Sequence, residues 1–259
     1  MDICSYVAWF GLFSVLGWVY ECTYCAIKNR RWDNRGFLFG PVCPIYGFGV
    51  VAVIVVAQAL PRGGDVSWWQ VFLGGAAGSA VLEYGTSYVL ERCFHARWWD
   101  YSNIPLNLNG RVCLPFALCF GAVGTLLYYY VCPAIADASP SLPLVAWELL
   151  ALATASLMSA DLALTLSTLT DLTRRIERGR DDFDAVMETA VDDIASGRRP
   201  LEDDLEEAAR RGAEGMTLVE RRALRSIRSF GSRAREESAA RLRRAAGQLE
   251  ARRRGGRRG

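Results

Sequence analysis

Residues 4–27 read CSYVAWFGLFSVLGWVYECTYCAI, with Glu21 as the one charged side chain. About 20 mostly apolar residues are enough for a helix to cross the hydrocarbon core, so this run is long enough to span it. Met1, Asp2 and Ile3 precede the run, and none is basic. A secretory leader has a basic start, a shorter apolar run and a small-residue cleavage site. The run is therefore read as a retained membrane helix.

Four further apolar runs follow, at Pro44–Leu60, Trp68–Leu90, Val112–Ala136 and Leu144–Leu169. The second is the shortest. The expected fold is all-α. A polytopic bundle of about five transmembrane helices fills residues 1–170, and a charged, largely helical or partly disordered tail fills 171–259. Charge divides the chain at the same place. The whole chain has 30 Lys+Arg and 28 Asp+Glu; residues 1–170 hold eight and ten of them, which leaves 22 and 18 for the tail.

Basic residues in short loops set the orientation. Lys28, Arg30, Arg31 and Arg35 follow the first run, and Arg92, Arg97 and Arg111 follow the third. Only Arg62 follows the second run, and residues 133–143 have no basic side chain. The fifth run exits into Arg174, Arg175 and Arg178. This alternation predicts a multi-pass protein of the cell membrane, with its N-terminus outside and its tail in the cytoplasm.

The reactive residue types argue against an enzyme. Cys22 and Cys25 form a C-x-x-C, but no second pair and no His lie near them. Structural zinc sites bring four such ligands together. We read these cysteines as small apolar helix residues. His95 is the single His, which excludes a His pair. No catalytic residue, metal or cofactor is expected.

Two stretches share an order of features. Glu21 precedes Arg31-Trp32-Asp33, Asn34-Arg35-Gly36 and an apolar stretch reaching Gly47-Phe48-Gly49. Glu83 precedes Arg97-Trp98-Trp99-Asp100, Asn109-Gly110-Arg111 and an apolar stretch reaching Gly121 and Gly124. Both units run in the same direction, so a symmetry axis relating them would lie along the membrane normal.

A charge inside the membrane is costly unless it is paired or hydrated. Glu21 and Glu83 are therefore expected to face partners, with Arg35 and Arg111 as the candidates. The cluster Glu21, Arg35, Glu83, Asp100 and Arg111 is either a structural tie or part of a substrate path. Gly17, Glu21 and Cys25 on the first helix, and Gly75, Ser79, Glu83 and Ser87 on the third, recur at spacing four. Such small-residue faces suit close packing. Asp161, near Ser156, Ser159 and Thr165, is a further polar contact at membrane depth, whereas Glu148 lies nearer the outer end.

The stretch from Gly36 to Gly49 holds Gly36, Gly40, Pro41, Cys43, Pro44, Tyr46, Gly47 and Gly49. Pro41 and Pro44 remove two backbone donors, and the glycines allow sharp bends. Two readings stay open. One is a loop with Pro in the first turn of the second helix. The other is a broken or re-entrant element lining a path. Trp98, Trp99, Tyr101 and Ser102 suit the headgroup layer, and Asn107, Asn109 and Gly110 predict a turn before the fourth helix.

The tail has no spanning run, and its apolar heptads are not sustained. From Gly215 onward it has fourteen Arg against four Glu. It is a solvated extension or a contact for anionic lipid headgroups. Nucleic acid is not expected as a partner, because no binding-fold motif accompanies the charge.

Several strings resemble a known family. They are Gly17-Trp18-x-x-Glu21, Asn34-Arg35-Gly36-Phe37-Leu38-x-Gly40-Pro41-x-Cys43-Pro44-Ile45-Tyr46-Gly47-x-Gly49, and Leu82-Glu83. With them go Trp98-Trp99-Asp100-Tyr101-Ser102 and Asn107-Leu108-Asn109-Gly110-Arg111. Together they resemble the ABC-transporter type IV family, also called the CmpB-like permeases, over about residues 5–130, with the far end open through the fifth run. The resemblance implies a transport-related permease subunit in the lipid bilayer. No G-x-x-x-x-G-K-[ST] phosphate loop is present, so the ATP-binding subunit would be another chain. Two alternatives stay open: a membrane adaptor that presents the tail, and a membrane enzyme with the paired carboxylates as acid and base.

Overall fold

The computed structural model describes residues 1–30, 36–60, 66–195, 201–231 and 233–255. Helix α1 (Ile3–Asn29) begins where the Asp2 carboxylate accepts the Ser5 N–H at 2.8 Å. Such a cap satisfies one of the donors that a helix start leaves open. Helix α2 (Pro44–Ala59) opens on Pro44, whose missing N–H falls where the helix needs no donor. Helix α3 spans Trp68–Phe94. Three two-residue strands follow: β1 (Ala96–Arg97), β2 (Asn107–Leu108) and β3 (Val112–Cys113).

Helix α4 (Leu114–Leu126) passes through one π turn (Leu127–Val131) into α5 (Cys132–Ala138). The π turn sits just before Pro133, which has no N–H for the regular ladder. Helix α6 (Leu144–Ala195) is 52 residues long. Helices α7 (Leu201–Glu214) and α8 (Leu218–Ser226), strand β4 (Ser229–Phe230) and helix α9 (Arg233–Gly255) complete the chain. The fold is all-α, with 79% of the described residues in α-helix.

Among the described residues, three helical stretches are long and apolar enough to cross a membrane: Ile3–Ile27, Leu114–Ser141 and Leu144–Arg178. The second expected crossing is apolar but has 16 helical residues. At about 1.5 Å per residue it falls short of the ~30 Å hydrocarbon core. The third has 27 residues, ample length, but Gln70, Ser79, Glu83, Thr86 and Ser87 dilute its apolar character.

The chain divides into two compact units. One comprises Met1–Val89 and Trp99–Thr165. Its core sets Val50 and Ile54 of α2 against Cys132 and Ile135 of α5, with Tyr6, Trp9 and Phe13 of α1 packed beside them. Trp147 of α6 lies 5.7 Å from the Trp9 ring and donates its indole N–H to the Ser139 carbonyl.

The other unit comprises Leu90–Trp98 and Leu166–Gly259. Leu172 and Ile176 of α6, Leu224 of α8 and Phe230 of β4 are buried there. Ala213 of α7 packs with Ala245 and Ala246 of α9. A capping box at Thr217 and Glu220 starts α8. Strand β4 pairs antiparallel with β1, Ala96 opposite Phe230 and Arg97 opposite Ser229. The Arg228 N–H donates to the Arg97 carbonyl and the Gly231 N–H to the His95 carbonyl, each at 2.7 Å.

Candidate functional site

The two expected repeat units meet their partner helices in the same way. Glu21 lies eleven residues after Phe10, and Glu83 lies eleven after Phe72. A Cβ placed on Gly47 of α2 would stand 2.5 Å from the Phe10 carbonyl oxygen. One placed on Gly121 of α4 would stand 2.7 Å from the Phe72 carbonyl oxygen. Only glycine permits either approach. The residues just before these glycines, Tyr46 and Phe120, touch edge to face with ring centroids 6.3 Å apart. Equivalent positions of α2 and α4 thus face each other, as a parallel repeat requires.

The carboxylates flank that contact. The Tyr46 hydroxyl donates to Glu21 Oε1 at 2.6 Å. The Tyr101 hydroxyl donates to Glu83 Oε1 at 3.4 Å, and Tyr101 stacks on Phe116 at 5.1 Å. Glu83 Oε2 is buried and has no partner among the described residues. The two carboxylates are linked through rings: Tyr46, the donor to Glu21, meets Phe120, and Tyr101, the donor to Glu83, stacks on Phe116 one turn before Phe120. Burial, and then the Glu83 charge, push the ionisation of Tyr101 well above the ordinary phenol range, so this hydroxyl remains a donor.

The expected partner of Glu83 is engaged elsewhere. The Arg111 guanidinium lies 5.2 Å from the centre of the Tyr84 ring and 5.6 Å from that of Tyr88. It also donates to the Tyr84 hydroxyl at 3.4 Å. Glu83 forms no ion pair among the described residues. Tyr84 and Tyr88, one turn apart on α3, form an aromatic face that holds a guanidinium well. Arg35, the expected partner of Glu21, lies outside the described residues, as do Arg31, Trp32, Asp33 and Asn34.

Asp161 finds its contact in the Gly/Pro segment. One carboxylate oxygen accepts the Phe39 N–H at 3.1 Å, and the other accepts the Gly40 N–H at 2.8 Å. The Cys43 N–H donates to the Ser14 carbonyl at 2.8 Å, and Pro44 then starts α2. Pro41 falls between these two anchors. Gly36 has φ 123°, a backbone setting that favours glycine. Gly49 is different: a Cβ there would meet only a Leu82 methyl at 3.9 Å.

The aromatic loop is a folded turn. The Trp99 indole donates to the Arg111 carbonyl, and the Tyr101 N–H to the Gly110 carbonyl. Asp100 Oδ1 accepts from the Ser102 N–H and hydroxyl. Asn107 Oδ1 accepts the Gly110 N–H at 3.0 Å. Asn109 and Gly110 both have positive φ, and β2 pairs with β3 across them. Asn109 donates to the Tyr84 hydroxyl at 3.1 Å. Trp98 is buried, edge-on to Phe94.

Phe116, Phe120, Tyr84 and Tyr88 escaped the sequence reading. Phe120 was detectable, since it precedes a repeat glycine just as Tyr46 does. No group of three or more His, Cys, Asp or Glu suited to a metal occurs among the described residues. Tyr46→Phe is expected to cost about 1–3 kcal/mol, because Glu21 loses a short, charge-assisted bond. Tyr101→Phe should cost less, its bond being long. Unfolding in mild detergent measures both, and equal losses would exclude these bonds as the cause.

The family model described as Putative ABC-transporter type IV matches residues 8–166. Neither the curated proteins nor the solved structures contain a match. The family match runs from α1 into α6, beyond the residue 130 reached by the quoted strings, and leaves α7 to α9 outside. It covers well over half of the 259 residues, so the chain belongs to the ABC-transporter type IV family.

Proposed function

We propose that this chain is the membrane subunit of a transporter, with five crossings and a separate ATP-binding partner. The observation that carries the reading is the pair Glu21 and Glu83 at equivalent places in two parallel repeats. Sites between repeats are a recurrent plan of transporters, and charges at membrane depth are retained there for function. The family's description favours transport over catalysis. Val81, Leu152 and Leu157, each at least 65% exposed, suit a lipid-facing surface.

The β1–β4 pairing supports the topology. Hydrogen-bonded strands must share one side of the membrane. Two crossings, the α4–α5 rod and α6, separate them in sequence, and two crossings return the chain to its starting side. Both strands then lie with the basic loops in the cytoplasm, and the N-terminus lies outside. In this arrangement Glu21, Glu83 and the Asp161-held segment line the path, while Arg225, Arg228 and Arg244, all exposed, face anionic headgroups.

Affinity purification from native membranes in mild detergent, with mass spectrometry of what accompanies the chain, tests this. A stoichiometric ATP-binding subunit is expected. Recovery without one overturns the permease reading and favours the adaptor, which the separate core of the second unit would serve.

A further inference from the structure

The two repeats are equivalent around their carboxylates except at one group. Tyr46 supplies a hydroxyl to Glu21 at 2.6 Å. The residue in the same place in the second repeat is Phe120, which has none. Glu83 takes a 3.4 Å bond from the loop instead, and its Oε2 is left buried without a partner. Glu83 is only 7% exposed. A buried carboxylate oxygen with no donor is destabilising.

The missing component is positive charge. Arg111 rests on Tyr84 and Tyr88, and Glu83 has no ion pair among the described residues. We propose that a monovalent cation, an alkali-metal ion or an ammonium group, binds between Glu21 and Glu83 beside the Tyr46–Phe120 contact. This rests on the transport reading and names the charge of what the path accepts. Carboxylate oxygens suit hard cations. The Tyr20, Tyr46 and Phe120 rings, in edge contact at 6.1 and 6.3 Å, also suit an ammonium. A divalent ion is less suited, since no group of three acidic or other ligating side chains occurs among the described residues.

The test is the unfolding midpoint of the full chain in detergent, with N-methylglucamine chloride replaced stepwise by sodium, potassium or methylammonium chloride. A ligand that binds only the folded state raises the midpoint with concentration. At least one of the three small cations is expected to do so. The half-saturating concentration should rise about tenfold or more in Glu83→Gln and Glu21→Gln, as for the loss of a charged ligand group. Glu148→Gln should respond like the native chain. Phe120→Tyr keeps both carboxylates and adds the missing hydroxyl, so its half-saturating concentration should also rise.

A response to sodium or potassium assigns an alkali ion, and one to methylammonium alone assigns an amine. No response to any of them, a response only to magnesium or calcium, or an unchanged response in Glu83→Gln and Phe120→Tyr overturns the proposal. An ATP-binding partner without a cation response removes this inference and leaves transport standing. A cation response without that partner leaves a cation site at these carboxylates and overturns its place in the path of a permease.

Discussion

Asp161→Ala is expected to destabilise the membrane unit by about 3–6 kcal/mol, since each of two hydrogen bonds to a charged group is worth roughly 1.5–3 kcal/mol. The carboxylate accepts the Phe39 and Gly40 N–H groups at 3.1 and 2.8 Å, and its loss leaves two backbone donors without an acceptor. Gly40→Ala attacks the same contact from the other side, because its Cβ would stand 2.6 Å from Asp161 Oδ2. Once Asp161 is alanine, that collision is gone. The double variant should therefore lose clearly less than the sum of the two single losses. Unfolding of all three in detergent measures the coupling; additive losses would show that the contact is not the cause.

Gly47→Val should cost about 3 kcal/mol, the upper end of the usual overpacking range. Its Cβ would collide with the Ser14 hydroxyl and stand 2.5 Å from the Phe10 carbonyl oxygen, a backbone atom that cannot rotate away. Helices α1 and α2 must then part, which also pulls Tyr46 from Glu21. Gly49→Val is the comparison. Its Cβ would meet one methyl at 3.9 Å, so a loss within about 1 kcal/mol is expected, where replacing a helix glycine also helps. Comparable losses at both positions would contradict the packing described for α1 and α2.

These contrasts show what sequence patterning carries and what it omits. The α1 boundary was legible, because Asp2 caps it and hydropathy begins there. So was the start of α2, where Pro44 suits the first turn. The end of the fifth run was not. Helix α6 continues to Ala195, since hydropathy marks where a membrane stops and says nothing of where helical hydrogen bonding stops. Side chains such as Arg174, Arg175 and Glu177 form helix well in water.

The site was legible as residue types and not as partnerships. Asp161 was recognisable as an acid at membrane depth, but its acceptor role depends on backbone more than 120 positions away. Glu83 and Arg111 looked like a pair because opposite charges at membrane depth attract. Tyr84 and Tyr88, on the helix that carries Glu83, hold that guanidinium instead. Glu83 receives its hydroxyl from Tyr101 of the loop, a partner that spacing along α3 does not reveal.

The β1–β4 ribbon has a consequence for the order of biosynthesis. Arg97 and Ser229 pair although 132 residues separate them. At roughly 5–20 residues per second, β4 is synthesised about 7–26 s after β1. Through that interval α3 is already made and α4 to α8 follow, while the hydrogen-bonding edge of β1 has no β4 to meet. Completion of the loop is thus a late event, timed by translation of the tail. A nascent chain stalled before residue 228 would present an open strand edge, a template for pairing with another chain.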